Sequence, residues 1–213
     1  MRFAALLDCI HDEPVFETGL LLAGGVDPKD VRRQLSRWTR EGKVHQLRRG
    51  RYILAPPYRK VQPHPFLVAN RLVRGSYVSC QSVLAASGLI PEHVPTVSSI
   101  CTTRPQVLET PLGRFVYRRI KVPLFAGYHL EDLGGGQRAF VASPEKALLD
   151  LIYLDPGADS EAYLGQLRLQ NLQQIDIERL MRMAVDSGSA KLRRAASRLR
   201  AMALTEEAEY EPL

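Results

Sequence analysis

The stretch from Asp27 to Leu54, DPKDVRRQLSRWTREGKVHQLRRGRYIL, decides how the chain is read. Asp27 offers an N-cap acceptor and Pro28 suits the first helical position, so a helix starts there. Gly42 stands where a helix from Pro28 to Glu41 would stop. Each helical residue advances about 100° around the axis. Val31, Leu35 and Trp38 therefore fall within about 60° of one another and form a stripe for a core. Lys29, Arg33, Ser36 and Arg40 fall within a similar arc on the opposite side, flanked by Arg32 and Arg37. Val44 to Leu47 and Arg51 to Leu54 then read as strands around the tight turn Arg48-Arg49-Gly50. Tyr52 and Ile53 alternate faces, so one of them anchors this hairpin on the core.

Upstream, Phe3, Ala4, Leu6, Leu7 and Ile10 have helical spacing, and Asp12-Glu13-Pro14 ends that helix. Phe16 to Ala23 reads as a second short helix stopped by Gly24-Gly25. Three short helices and a two-stranded hairpin describe a winged helix-turn-helix over residues 1–58. A helix that enters the major groove needs one buried face and one face of donors. The expected DNA-binding residues are Lys29, Arg32, Arg33, Ser36, Arg37 and Arg40 on the helix, with Arg48, Arg49 and Arg51 on the wing. A winged helix that binds protein instead is the competing reading.

Charge supports the first choice. The 213 residues carry 29 Lys and Arg against 23 Asp and Glu, or +6. Residues 1–60 hold +5, residues 61–150 hold +3 and residues 151–213 hold −2. Between residues 29 and 60 only Asp30 and Glu41 oppose 11 basic side chains. Such a local excess of one sign suits a polyanion. With 45% hydrophobic and 24% charged residues the composition is that of a globular protein, not a disordered one. No apolar run approaches the ~18 residues of a membrane span, and no signal-peptide core follows Met1. Cys9, Cys80 and Cys101 are scattered without metal or redox spacing. The expectation is a cytoplasmic protein with reduced thiols and no membrane partner.

Prolines at 56, 57, 63 and 65 place a boundary at 56–65. Beyond it, strands precede helices, which indicates α+β. Ser79 is positioned to cap a helix from Cys80 to Ala86, ended by Gly88. Strands are expected over Thr96 to Thr102, Arg114 to Val122 and Ala139 to Ala142, with turns at Pro111-Leu112-Gly113 and Gly134-Gly135-Gly136. Ser143-Pro144-Glu145 opens a helix, and further helices are expected near 160–168, 176–186 and 189–203. The predicted organisation is an N-terminal winged helix-turn-helix, a mixed α+β domain over 66–204 with a helical C-terminal part, and a frayed acidic tail over 205–213.

These residues resemble the AbiEi-type antitoxins, also described as transcriptional regulators of phage-defence systems. Val15 to Leu54, with Arg49-Gly50-Arg51-Tyr52, is similar to their N-terminal winged helix. Downstream, Tyr77-Val78-Ser79-Cys80-Gln81-Ser82-Val83-Leu84 followed by Gly88-Leu89-Ile90-Pro91-Glu92 is similar to a strand-to-helix motif of the family. Many members carry Ala where Val83 stands. Gly113-Arg114-Phe115-Val116-Tyr117 and Ser143-Pro144-Glu145-Lys146-Ala147-Leu148-Leu149-Asp150 extend the match, which covers roughly residues 15–155. The resemblance implies a repressor that binds inverted repeats in its own promoter. It also implies an antitoxin of a type IV toxin-antitoxin system, countering a nucleotidyltransferase-type toxin without a stable complex. A winged-helix regulator with no toxin partner is the alternative, and the oligomeric state, including a monomer that pairs on DNA, stays open.

No catalytic, metal or cofactor residue is expected. His11, His45, His64, His93 and His129 stand singly along the chain. Glu145, Lys146 and Asp150 have the residue types of a metal-dependent nuclease, but they sit on one predicted helix. There Glu145 reads as a first-turn acid that favours the helix dipole, and Asp150 as a neighbour of the Asp155-Pro156 loop. Lys191, Arg193, Arg194, Arg198 and Arg200 read as a solvated helix face. A second phosphate contact or an RNA surface is the sharper option for them.

Overall fold

The computed structural model describes residues 2–22 and 26–210, and the chain is mixed α+β. The first helix, α1 (Phe3–Ile10), buries Leu6 and Ile10. The expected second helix is not continuous. Phe16–Glu17 forms a strand, β1, and only Thr18–Leu21 is helical, as α2. Phe16 and Glu17 pair antiparallel with Tyr52 and Arg51, and the Phe16 and Tyr52 rings stack at 5.8 Å. Ladder bonds and a buried aromatic outweigh a helical turn that is marginal at this length. The Gly24-Gly25 stop lies outside the described residues.

α3 (Pro28–Arg40) starts where expected, with the Asp27 carboxylate accepting the Lys29 N–H at 2.8 Å. Val31, Leu35 and Trp38 are its buried residues. Gly42, at φ +68°, turns the chain toward β2 (Val44–Arg48) and β3 (Arg51–Leu54). The small antiparallel sheet has the order β1-β3-β2.

α4 (Pro65–Leu72), which the proline-rich sequence concealed, leads to β4 (Ser76–Val78) and α5 (Gln81–Ala86). β5 (Val97–Cys101), β6 (Gln106–Thr110), β7 (Gly113–Arg119), β8 (Tyr128–Asp132) and β9 (Arg138–Ala142) complete a second sheet. Its order is β6-β7-β5-β4-β9-β8, with β4/β9 and β5/β7 parallel. The edge strands β6 and β8 escaped the sequence reading because neither has a fully buried face. α6 (Pro144–Leu154), α7 (Glu161–Gln166), α8 (Ile177–Asp186) and α9 (Ala190–Tyr210) follow.

Two tyrosines show how the second sheet is sandwiched. On one face the Tyr117 hydroxyl donates to the Ala69 carbonyl of α4 at 2.7 Å. On the other the Tyr77 hydroxyl donates to Asp150 of α6 at 2.9 Å. Register fixes the opposition, since Tyr117 aligns with Ser99 and Ser99 with Val78, one residue beyond Tyr77.

Two expectations are corrected here, and a third, Glu145 in the first turn of α6, is met and extended. Ser79 does not cap α5, whose N-cap is Cys80 at φ +54° with no side-chain bond. The Ser79 hydroxyl instead donates to Asp150 at 2.8 Å. Glu145 is more than a first-turn acid, because it is 4% exposed and accepts the Asp176 N–H that precedes α8. The region from Thr205 onward is not frayed throughout, because α9 continues to Tyr210. The Glu206 carboxylate accepts the N–H groups of Asn171 and Leu172, at 3.1 Å each, and pins the helix to the preceding loop. Residues 211–213 lie outside the described residues.

Asp150 is the polar centre of the larger core. It is 2% exposed and accepts from Tyr77, Ser79 and the Lys146 ammonium, the last at 2.6 Å. Lys146 donates its other bond to the Leu124 carbonyl. Burial pushes the Asp150 carboxyl above its ordinary range, opposed by Lys146 and by the hydroxyls of Ser79 and Tyr77. Removing one member leaves a buried charge without its partner. Asp150→Ala is expected to cost about 3–5 kcal/mol. An Asp150→Leu, Lys146→Met double variant is expected to recover most of that loss. Urea denaturation of the three proteins checks both, and equal destabilisation of the single and double variants would show that the ion pair is not the source.

Candidate nucleic-acid interface

The basic face of α3 is defined by what the opposite face buries. Val31, Leu35 and Trp38 join Leu6, Ile10, Phe16, Leu21, Val44 and Leu54 in a small core. Lys29, Arg32, Arg33, Ser36, Arg37 and Arg40 are all exposed. Among the described residues, the side chains of Lys29, Arg32, Ser36 and Arg40 make no ion pair or hydrogen bond within the chain. Arg33 pairs with Asp30 at 2.8 Å, and Arg37 with Glu41 at 3.1 Å. Lys43 also holds Glu41, at 2.7 Å. The Lys43 hydrogen bond, then the charges of Lys43 and Arg37, keep the Glu41 carboxyl below its ordinary range, against some desolvation. Exposed pairs of this kind contribute about 0–1 kcal/mol, so a phosphate can compete for the same guanidinium groups.

The β2–β3 hairpin is braced. Gly50 takes φ +78° in its turn, and its carbonyl accepts the Thr18 N–H at 3.0 Å. Arg49, at the tip, is exposed and makes no side-chain bond among the described residues. The other two arginines of the hairpin are engaged. Arg48 donates to the Leu72 carbonyl at the end of α4 at 3.0 Å. Arg51 lies 3.6 Å from Glu17, which also binds Arg74 at 2.7 Å. Arg48 and Arg51 thus hold the hairpin in place, while Arg49 and the helix side chains face solvent.

Sequence reasoning missed this bracing because it depends on which carbonyl lies within an arginine's reach. It also missed the hydrophobic mounting. Val15, Leu47 and Ile53 belong to the larger core, with residues of α4 and the second sheet. Of the two candidate anchors, Ile53 is 1% exposed and packs there, while Tyr52 turns to the small core.

Three of the five basic residues singled out on α9 are committed. Lys191 donates to the Asp155 carbonyl, Arg194 pairs with Asp159 at 2.8 Å, and Arg198 reaches the Asp159 carbonyl and Glu161. The Arg194 hydrogen bond leads the interactions that hold the Asp159 carboxyl below its ordinary value. Glu145 and Asp150 are likewise occupied by Asp176 and by the Lys146–Tyr77–Ser79 group. Among the described residues no three His, Cys, Asp or Glu side chains gather as metal ligands, and no helix is long and apolar enough to cross a membrane. Cys9 is exposed, while Cys80 and Cys101 are buried, and all three are free thiols.

No protein-family model matches the chain, and no curated protein matches it in sequence. Among solved structures, the crystal structure of the RV2827C protein from Mycobacterium tuberculosis is similar, with a TM-score of 0.57 and 18% identity. The match covers 94% of this chain and 76% of that one. At this identity the likeness concerns the fold alone.

The bracing of the hairpin makes a distinction between neighbouring arginines. Arg48→Ala is expected to lower stability by about 1–2 kcal/mol, because the bond is charge-assisted and part-buried. Arg49→Ala is expected to stay within about 0.5 kcal/mol of the parent. Thermal and urea melts check the pair, and equal stabilities would mean that the Leu72 contact holds nothing.

Proposed function

We propose that the N-terminal unit is a winged helix-turn-helix that binds double-stranded DNA. α3 lies in the major groove, and the β2–β3 hairpin acts as a wing on the flanking backbone. The two-faced character of α3 carries this reading, with three apolar side chains in a core and five cations and a hydroxyl in solvent. Arginine can bond guanine bidentately, and lysine and serine also reach phosphate oxygens. Lys29, Arg32, Arg33, Ser36, Arg37 and Arg40 supply the helix contacts. Arg49 supplies the wing contact, and Arg48 and Arg51 set the wing's position as well as its positive field. The protein acts as a transcriptional repressor at inverted repeats of its own promoter.

The AbiEi-like motifs support a further role as the antitoxin that counters a nucleotidyltransferase-type toxin without a stable complex. A regulator with no toxin partner is the second reading. It is favoured by the position of Tyr77, Ser79, Lys146 and Asp150, which carry part of the resemblance yet are buried in a structural network.

Titration of promoter DNA tests the first half. Arg33→Ala and Arg40→Ala are each expected to cost about 1–3 kcal/mol on a specific site. Unchanged affinity of a folded double variant would remove α3 from the groove. Coexpression with a neighbouring nucleotidyltransferase gene tests the second half. An Arg33→Ala, Arg37→Ala, Arg40→Ala variant driven from an unrelated promoter is expected to restore growth without operator binding. If a folded, abundant variant fails to protect, DNA binding is itself the antitoxic act.

A further inference from the structure

The cationic surface does not end at the wing tip. Arg48 is tied to Leu72, and the chain continues from there through Arg74 to Ser76, which pairs with Cys101. Cys101 is in turn the register partner of Arg119. Two connections leave the second sheet at this corner, residues 102–105 after β5 and residues 120–121 after β7. They are bonded together, since the Ile120 N–H donates to the Cys101 carbonyl at 3.1 Å. They carry Arg104 and Lys121, and Arg119 ends β7 beside them; all three are exposed. Among the described residues none of the three makes an ion pair or a side-chain hydrogen bond.

Strand alternation decides where Arg119 lies. It shares a face with the buried Phe115 and Tyr117, whereas Arg118 turns to the other face and binds Asp155 at 2.6 Å. The Tyr117 face is the one toward the wing. Tyr117 bonds Ala69 of α4, and the charges of Arg48 and Arg51 oppose the rise that burial imposes on its phenol. β2 also runs beside β6 on this side. From His93 to Leu130 the only carboxylate is Glu109, which is bound to Arg114 at 3.2 Å. A solvated surface ordinarily mixes signs, whereas these three unpaired cations stand together in sequence register at one corner of the sheet, a local positive field that suits an anion.

We propose that Arg104, Arg119 and Lys121 continue the DNA-contact surface from the wing onto the second domain, gripping backbone phosphates beyond the site that α3 reads. This rests on the DNA-binding reading of α3 and the hairpin. Phosphate contacts of this kind hold orientation and carry no sequence information. Their signature is ionic: each lost contact lowers the slope of log affinity against log salt by about 0.9.

The test is fluorescence anisotropy of the full chain on a labelled mixed-sequence duplex of about 30 base pairs, over a series of salt concentrations. The proteins are the parent, an Arg104→Gln, Arg119→Gln, Lys121→Gln variant, an Arg119→Gln single variant and an Arg33→Ala, Arg40→Ala variant. The triple variant is expected to lower the slope by roughly two to three, and the single by about one, with melting temperatures unchanged. A parental slope in both glutamine variants, alongside weakened binding by the Arg33→Ala, Arg40→Ala variant, would overturn the extension and leave the reading of α3 intact. No salt-dependent binding by the parent would overturn both. If the triple variant melts early, the single variant decides.

Discussion

Ile53 and Leu54 are neighbours on a four-residue strand, and they point into different cores. Leu54 closes the small core beneath α3, and Ile53 enters the large core shared with α4 and the second sheet. Val44 and Leu47 divide in the same way on β2. The small sheet is therefore a wall with both sides in use. A β-strand presents alternate residues to opposite faces, so a slip of one residue would exchange these sets. The register shifts between Gln46 and Arg48, so Leu47 enters the large core from the bulge itself, beside the turn. The position of α3 relative to the rest of the molecule follows from this shared sheet. So does that of the hairpin, through the Gly50–Thr18 and Arg48–Leu72 bonds.

Where the sequence was legible, short-range rules were enough. Asp27-Pro28 and Gly42 bracket α3 by cap chemistry, and Val31, Leu35 and Trp38 mark its inner face by period alone. Ser143-Pro144 likewise opens α6, with the Ser143 hydroxyl accepting the Lys146 N–H. The failures lie where long-range partners decide. Phe16 and Glu17 have no strand pattern of their own and become extended because Tyr52 and Arg51 are there to pair with. Ser79 had a plausible local use as a cap, yet its hydroxyl belongs to a carboxylate 71 residues away in sequence. Of the nine basic and polar residues expected at the interface, the six on α3 and Arg49 are exposed, while Arg48 and Arg51 serve local contacts. A charge count cannot see that difference, because it depends on the neighbours each guanidinium can reach.

The molecule uses its cations in two ways. Lys146 is buried and bound to one carboxylate and one carbonyl, where the low dielectric makes a missing partner costly. Arg32, Arg40, Arg49, Arg104 and Arg119 are in solvent with no internal partner among the described residues. Screening limits what such charges contribute to folding, but their field extends over roughly a Debye length and can draw in a polyanion. One set of charges fixes the scaffold, and the other is left available.

The proline-rich stretch at 56–65 looks like a seam at which the chain could be cut. The two-sided sheet says otherwise. A segment ending at Ala55 or Tyr58 would carry Val15, Leu47 and Ile53 away from the surface that shelters them, leaving three apolar side chains uncovered. The covalent seam and the energetic seam are thus in different places. A cut at those prolines would release a fragment with an adhesive face rather than a self-contained module. The first sixty residues need a matching back plate to cover that face.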